Sequence, residues 1–311
     1  MSTPSITPDE AMALAKEHTS RGNTAAAVGI YKNILATSPQ HKKARKALNA
    51  LQRPESKTSP DALQSDMASV MTLYNAGKLD QALTQVKRLC KIHEDEPMPL
   101  NVMGVILYAQ GQPEAAVEYY KKALIMAPEY PDALNNLGSA LDTLKQHDDA
   151  ILCYQKLLQI DPNYADAHYN MGNALVNKGE YELAVKQYDR AIEIFPAVPR
   201  IHLRLGLVLA GMNQFNAAMT SIQNALALEP NRVDAHEYMG DILVNQNMLS
   251  SALSWYQDAA RLSPEYAQVQ FKLGAVLQDL DKLEEAKAAF ERCLSLQPGY
   301  PRAQELLSSI V

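Results

Sequence analysis

Cysteine is scarce in this chain of 311 residues: there are three, Cys90, Cys153 and Cys293, an odd number with no short spacing between them. That excludes a CxxC redox pair, a paired zinc ligand set and a full disulfide framework, and it suits free thiols in a reducing compartment. Phenylalanine (4) and tryptophan (1) are few, and only tyrosine, with 15, is well represented. Long apolar runs are missing too, since none approaches the ~18 residues of a membrane span. The N-terminal stretch carries Asp9, Glu10, Lys16 and Glu17, with no apolar segment of signal-peptide length. Positive charge is not in excess: 29 Lys and Arg against 35 Asp and Glu leave a net charge of −6, which argues against a dedicated nucleic-acid binder. Absent as well are GxxxxGK[ST], HExxH and GxSxG, the short signatures of phosphate cradling, zinc proteolysis and serine hydrolysis. These absences point to a soluble, cytoplasmic, non-catalytic chain with no cofactor, no metal, and neither a nucleic-acid nor a membrane partner.

What is present is a rhythm. Gly104, Gly138, Gly172, Gly206, Gly240 and Gly274 are spaced by 34 residues. Twelve positions after each comes an alanine (Ala116 to Ala286), and four later a bulky residue: Tyr120, Tyr154, Tyr188, Ile222, Tyr256 and Phe290. A proline closes each unit, from Pro128 to Pro298. With the unit starting at residue 97, glycine holds position 8, alanine 20, the bulky residue 24 and proline 32.

Glycine inside a helix costs roughly 1 kcal/mol relative to alanine, so six of them need a reason. Small residues at 8 and 20 let two antiparallel helices approach backbone to backbone, with the residue at 24 expected to fill the space between neighbouring units. Gly111, Gly179, Asn213 and Asn247 share one place between the helices; these types tolerate the left-handed conformation that ends a helix. The proline stops the second helix.

This framework resembles the tetratricopeptide repeat, which has a 34-residue period and the pattern W-x₂-L-G-x₂-Y…A-x₃-F…P. Leu or His stands for the Trp, and Leu for the Tyr after Gly. The resemblance implies an all-α superhelical solenoid of antiparallel helix pairs with a binding groove. Residues 97–300 hold six regular units. Residues 8–52 hold a further unit and a helix, with Ala15, Ala27, Tyr31 and Pro39 in the framework slots. Residues 53–62 read as a linker and 63–96 as a degenerate unit, with Val70 in the glycine slot. Residues 301–311 begin one more helix, which suits an end-cap.

In this family the first helix of each pair lines the groove through unit positions 2, 5, 6 and 9. There the chain places Asn135, Asn136, Tyr169, Asn170, Asn173, Arg200, Arg204, Tyr238 and Lys272, our candidate peptide-binding residues. An Asn amide both donates and accepts, so it can bracket a peptide bond without demanding a side chain. The Asn cluster is similar in part to the asparagine-lined groove of the O-linked N-acetylglucosamine transferase repeat domain. Some tetratricopeptide domains clamp a C-terminal carboxylate with five polar residues. This chain keeps Asn170, Arg200 and Arg204 of that set but has Asn135 and Ser139 at the other two places. The arginines admit two roles: holding a ligand carboxylate, or pairing with Asp166 or Asp234. His168, His202 and His236 also recur every 34 residues, but they occupy the slot of the packing Trp, and successive units are too far apart for a shared ion.

The reading favoured here is a scaffold binding an extended peptide or partner protein, including one that offers a carboxylate. The alternative is the targeting arm of a larger bacterial glycosyl-, sulfo- or methyltransferase, which the style of the N-terminal stretch resembles. The breaks near 56 and 96 leave self-association open.

Overall fold

The computed structural model of the chain describes residues 7–51 and 60–310, which are helices and turns throughout. The linker expected at 53–62 lies, as far as residue 59, outside the described residues. The helices are α1 (Pro8–Ser20), α2 (Thr24–Thr37), α3 (Lys42–Leu51), α4 (Pro60–Asn75), α5 (Leu79–Ile92) and α6 (Pro97–Ala109), then α7 (Pro113–Met126), α8 (Pro131–Thr143), α9 (His147–Ile160), α10 (Ala165–Lys178), α11 (Tyr181–Ile194) and α12 (Pro199–Gly211), and finally α13 (Phe215–Leu228), α14 (Val233–Asn245), α15 (Leu249–Leu262), α16 (Ala267–Asp279), α17 (Leu283–Leu296) and α18 (Pro301–Ile310).

The chain forms two compact units, Met1–Gln110 and Gly111–Val311. In the first, α2 packs on α1 and α3, and α5 packs on α4 and α6. In the second, every helix from α8 to α18 packs on the one before it, and α8–α10 and α12–α14 also touch. That is the contact pattern of stacked helix pairs, each resting on its neighbours alone.

The recurring glycines have a direct explanation. A Cβ added at Gly138, Gly172 or Gly240 would stand 2.6, 2.7 or 2.5 Å from the ring of Tyr154, Tyr188 or Tyr256. At Gly274 it would meet the Phe290 ring at 2.7 Å. At Gly206 it would meet Ile222 at 2.6 Å and the backbone oxygen of Ala218 at 3.1 Å. So the residue at 24, expected between neighbouring units, lies on the glycine of its own unit. Tyr154, Tyr188, Tyr256 and Phe290 are at most 2% exposed, so these rings have no room to retreat. The degenerate unit follows the same volume rule: Val70 in the glycine slot goes with the smaller Val86 at 24, and both are fully buried.

The turn between paired helices is equally regular. The backbone at unit position 15 is left-handed at Gly22, Gly77, Gly111 and Gly179, and also at Lys145, Asn213, Asn247 and Asp281. The following N–H reaches back to the carbonyl of position 11, as in Gln146 to Leu141, Glu180 to Leu175 and Met248 to Leu243, at 2.8–2.9 Å. This is the bonding of a Schellman cap. Glycine and asparagine were expected here; Asp281 is a type that also tolerates this conformation, whereas Lys145 adopts it against its intrinsic preference. At the end of the array, Ala303 is buried, and Leu306, Leu307 and Ile310 of α18 pack on the cluster containing Phe290 and Cys293. The last helix pair thus has its apolar face covered.

Two substitutions test this framework in opposite directions. Lys145→Gly removes left-handed strain worth roughly 1–2 kcal/mol, part of which is offset in the unfolded chain; we expect a stabilisation of about 1 kcal/mol by urea denaturation. Gly206→Ala forces overpacking against Ile222 and the Ala218 carbonyl, and we expect a loss of about 1–3 kcal/mol despite the better helix propensity of alanine.

Candidate functional site

On a helix, positions 2, 5, 6, 9 and 13 lie on one side. On the first helices of successive units that side carries a series of side-chain bonds from one repeat to the next. Asn170 donates its amide to Asn135 Oδ1 at 3.0 Å. Asn177 donates to both oxygens of Asp142 at 3.3 and 3.1 Å. Arg200 reaches Asp166 at 2.7 Å, and its guanidinium lies 5.2 Å from the centre of the Tyr169 ring. Tyr164 donates to Asp132 at 3.1 Å; burial, followed by that carboxylate, pushes its hydroxyl up to about 12.

The core reaches this side through position 24. The Tyr188 ring rests on Gly172 and its hydroxyl emerges to donate to Asn173 Oδ1 at 2.7 Å. Tyr256 rests on Gly240 in the same way and donates to Asp241 at 2.6 Å. Burial above all drives both phenols far up, with the Asp241 hydrogen bond adding to it at Tyr256. They act as fixed donors.

Next to Asn173 is a cavity of about 440 Å³ lined by Asp142, Asn173, Val176, Asn177, Tyr181, Tyr188, Arg204, Leu207, Val208 and Gly211. Several of its polar groups are committed to one another. Asp142 also meets His147 Nδ1 at 2.6 Å, and the Asn173 oxygen holds Tyr188. Arg204 is the one cation in the lining: it is exposed and, among the described residues, its side chain is in no hydrogen bond or ion pair. Its charge acts on Tyr188 and on half-buried Tyr238, opposing in each the upward push of burial.

The nine candidates therefore fall into distinct settings. Asn135 and Asn170 are joined, and Asn136 is half-buried on the same helix as Asn135. Arg200 takes the pairing role with Asp166 and the Tyr169 ring. Asp234, the other suggested partner, is held by Arg232 at 2.9 Å, so Arg204 stays free beside Asn173 and Tyr238. Lys272 is engaged elsewhere, bonding Glu237 and Asp241 at 2.6 Å each. Glu237 is 2% exposed and also accepts from Gln268 at 2.7 Å. Burial alone would push Lys272 down; the bonds from Asp241 and Glu237 outweigh it and hold the ammonium above its ordinary value.

Sequence reasoning missed Asp142, Asn177, Tyr181 and the Tyr188 hydroxyl. Positions 12 and 13 were the available signal, one turn beyond position 9. The histidines serve packing. His168 and His202 bond the carbonyls of Pro162 and Pro196 at 3.1 and 2.7 Å, six residues back, and Gln270 does the same to Pro264 at 3.4 Å. His236 bonds the Arg232 carbonyl and stacks on Trp255 with ring centres 5.3 Å apart. The thiols of Cys90 and Cys153 are each pushed up to about 11, chiefly by burial, and stay protonated. Among the described residues, no helix is long and apolar enough to cross a membrane.

Comparison with known proteins places the repeats in context. Models described as TPR repeat match residues 104–145, 143–179 and 172–213, and models described as tetratricopeptide repeat match 203–267 and 267–300. Among solved structures, the chain is similar to YrrB, described as a TPR protein with an unusual peptide-binding site, with 25% identity over 62% of this chain and 99% of that one and a TM-score of 0.51. It is similar in fold to PilF of Pseudomonas aeruginosa, at 23% identity over 68% and 97% with a TM-score of 0.59. A tetratricopeptide repeat protein of Parabacteroides merdae shares 18% identity over 80% and 98%, also at 0.59. No curated protein sequence matches.

The ion cluster gives a stability test. Lys272→Met leaves Glu237 buried and unpaired, for which we expect a loss of about 3 kcal/mol; adding Glu237→Gln should recover part of it. Because the folded-state value of Lys272 is raised, its contribution is complete below the ordinary lysine value of 10.5 and is lost as pH rises through the folded value. Denaturation above that pH should show the loss, and Lys272→Met should remove the pH dependence.

Proposed function

Because this chain belongs to the tetratricopeptide repeat family, we propose that it is a non-catalytic scaffold whose first-helix groove, from α8 to α14, binds an extended peptide or partner segment. The observation that carries this reading is Arg204: a cation whose side chain has no hydrogen-bond or ion-pair partner among the described residues, beside a cavity that also offers the Asn173 amide and the Tyr181 hydroxyl. Asn135, Asn136, Asn170 and Asn173 offer amides to the ligand backbone. Arg204 supplies an anchor for a carboxylate, either an acidic side chain or the chain end, while Val176, Leu207 and Val208 receive its aliphatic stem. Arg200 shapes the floor through Tyr169, and Tyr238 borders the anchor. Lys272 contributes by fixing the wall between α14 and α16. The likeness to YrrB, described as having a peptide-binding site, supports this use of the fold. Three cysteines held as thiols support a cytoplasmic setting.

Peptide display on the intact chain tests the reading. We expect enrichment of peptides carrying an acidic residue. Arg204→Ala should weaken the best of them by about 10–100-fold, the value of a hydrogen bond to a charged group, while Arg200→Ala, which removes an exposed pair worth little, should cost less than about fivefold. Both variants should keep their helical content. Enriched peptides indifferent to Arg204→Ala would remove the anchor from the account.

A further inference from the structure

The charge of this chain is segregated along its length. Residues 18–51 carry Arg21, Lys32, Lys42, Lys43, Arg45 and Lys46 and no aspartate or glutamate. Residues 111–311 carry 16 Lys and Arg against 25 Asp and Glu, a net of −9. The net charge of −6 for the whole chain hides this contrast.

Four of the six cations are gathered on α3. Its apolar residues Ala44 and Leu48 are buried in one core cluster with Met12, Ala15, Tyr31 and Ile34, so the packing turns the basic side outward. Lys42, Lys43, Arg45 and Lys46 are all exposed. Arg45 bonds the backbone oxygen of Pro39. Among the described residues the side chains of Lys42, Lys43 and Lys46 have no hydrogen bond and no carboxylate partner. Acids of the second unit without an ion pair remain at the surface: Asp149 opens α9, Glu182 opens α11 and Glu284 opens α17, all exposed.

We infer that the basic face of α3 docks on the acidic repeats of a second copy of this chain. Other polyanions fit less well. A nucleic acid or an anionic bilayer could use only the few cations of α3, because the chain as a whole carries a net charge of −6. α3 also has no free apolar face for a bilayer, because Ala44 and Leu48 are used inside. A second copy presents the complementary charge over several repeats. The contact joins two different patches, so it is heterologous and a pair of copies still has one basic face and one acidic array uncovered. Such contacts extend into open chains unless the rotation closes them.

Sedimentation velocity of the full chain tests this across a concentration series at ionic strengths of about 0.01 M and about 1 M, where the screening length is about 30 Å and about 3 Å. We expect species larger than the monomer, growing with concentration, at low salt. Association should weaken at least roughly tenfold at high salt and in Lys42→Glu/Lys43→Glu/Lys46→Glu, since a tenfold change is only about 1.4 kcal/mol spread over three charges. The three residues are exposed and unpartnered, and circular dichroism checks that the variant folds; Lys42→Gln/Lys43→Gln/Lys46→Gln is the milder second variant. A single monomeric species at every concentration in low salt overturns the proposal, as does self-association that both variants leave unchanged. Capture of the chain by phosphatidylserine vesicles or a DNA duplex in place of self-association, at the same low salt, overturns the choice of partner.

Discussion

The contact between the glycine at unit position 8 and the bulky residue at position 24 is the constraint on which the rest of this molecule depends. With no Cβ on the first helix, a ring from the second can lie flat against its backbone, and the helix pair closes around it. The geometry leaves no slack: five glycines in the second compact unit would each carry a Cβ within 2.7 Å of the residue opposite. Because native interiors are packed at crystal-like density, the pairing sets how closely each helix pair closes. The cost of a helical glycine, roughly 1 kcal/mol, is offset by burying a whole aromatic side chain.

The same contact carries polar groups through the core to the first-helix side. A tyrosine ring that crosses the helix pair ends in a hydroxyl on the first-helix side, where Tyr188 orients Asn173 and Tyr256 orients Asp241. Beyond those hydroxyls the two places diverge. Around Asp241, the buried Glu237, half-buried Lys272 and exposed Gln268 complete a bonded cluster in which two carboxylates share one ammonium. Around Asn173, the neighbouring cation is Arg204, and nothing among the described residues answers it. Equivalent positions thus hold an internally bonded ion cluster in one pair of repeats and an unanswered cation in another. A buried ion cluster of this kind is weak evidence for stability as such, but its single bonding pattern links α14 and α16 in one register.

Much of the fold was legible in the residues, because the glycine, alanine and proline slots are backbone requirements and few residue types satisfy them. The left-handed turn was legible at Gly111, Gly179, Asn213 and Asn247. It was not at Asp281, nor at Lys145, where the surrounding helices impose a conformation the residue would not choose. The site was legible only in part. Spacing identified Arg200 and Arg204 as a pair but could not tell them apart, since that depends on where Asp166 and Tyr169 lie one repeat earlier. Tyr188 read as core, and its ring is; that its hydroxyl emerges beside the cavity is a matter of side-chain length and tilt. Lys272 looked like Arg204 in the sequence, and what distinguishes them is the buried Glu237 and the Asp241 carboxylate that stands where Arg204 faces Asn173.

The glycine and the ring opposite it should act as one unit, and a double-mutant cycle at Gly274 and Phe290 measures that directly. Phe290 has no hydroxyl, so the cycle reports packing alone. Gly274→Ala is predicted to destabilise the wild type by about 1–3 kcal/mol but to be neutral or stabilising by up to about 1 kcal/mol in the Phe290→Ala background, where helix propensity alone decides. An undiminished cost of Gly274→Ala without the ring would contradict the central claim.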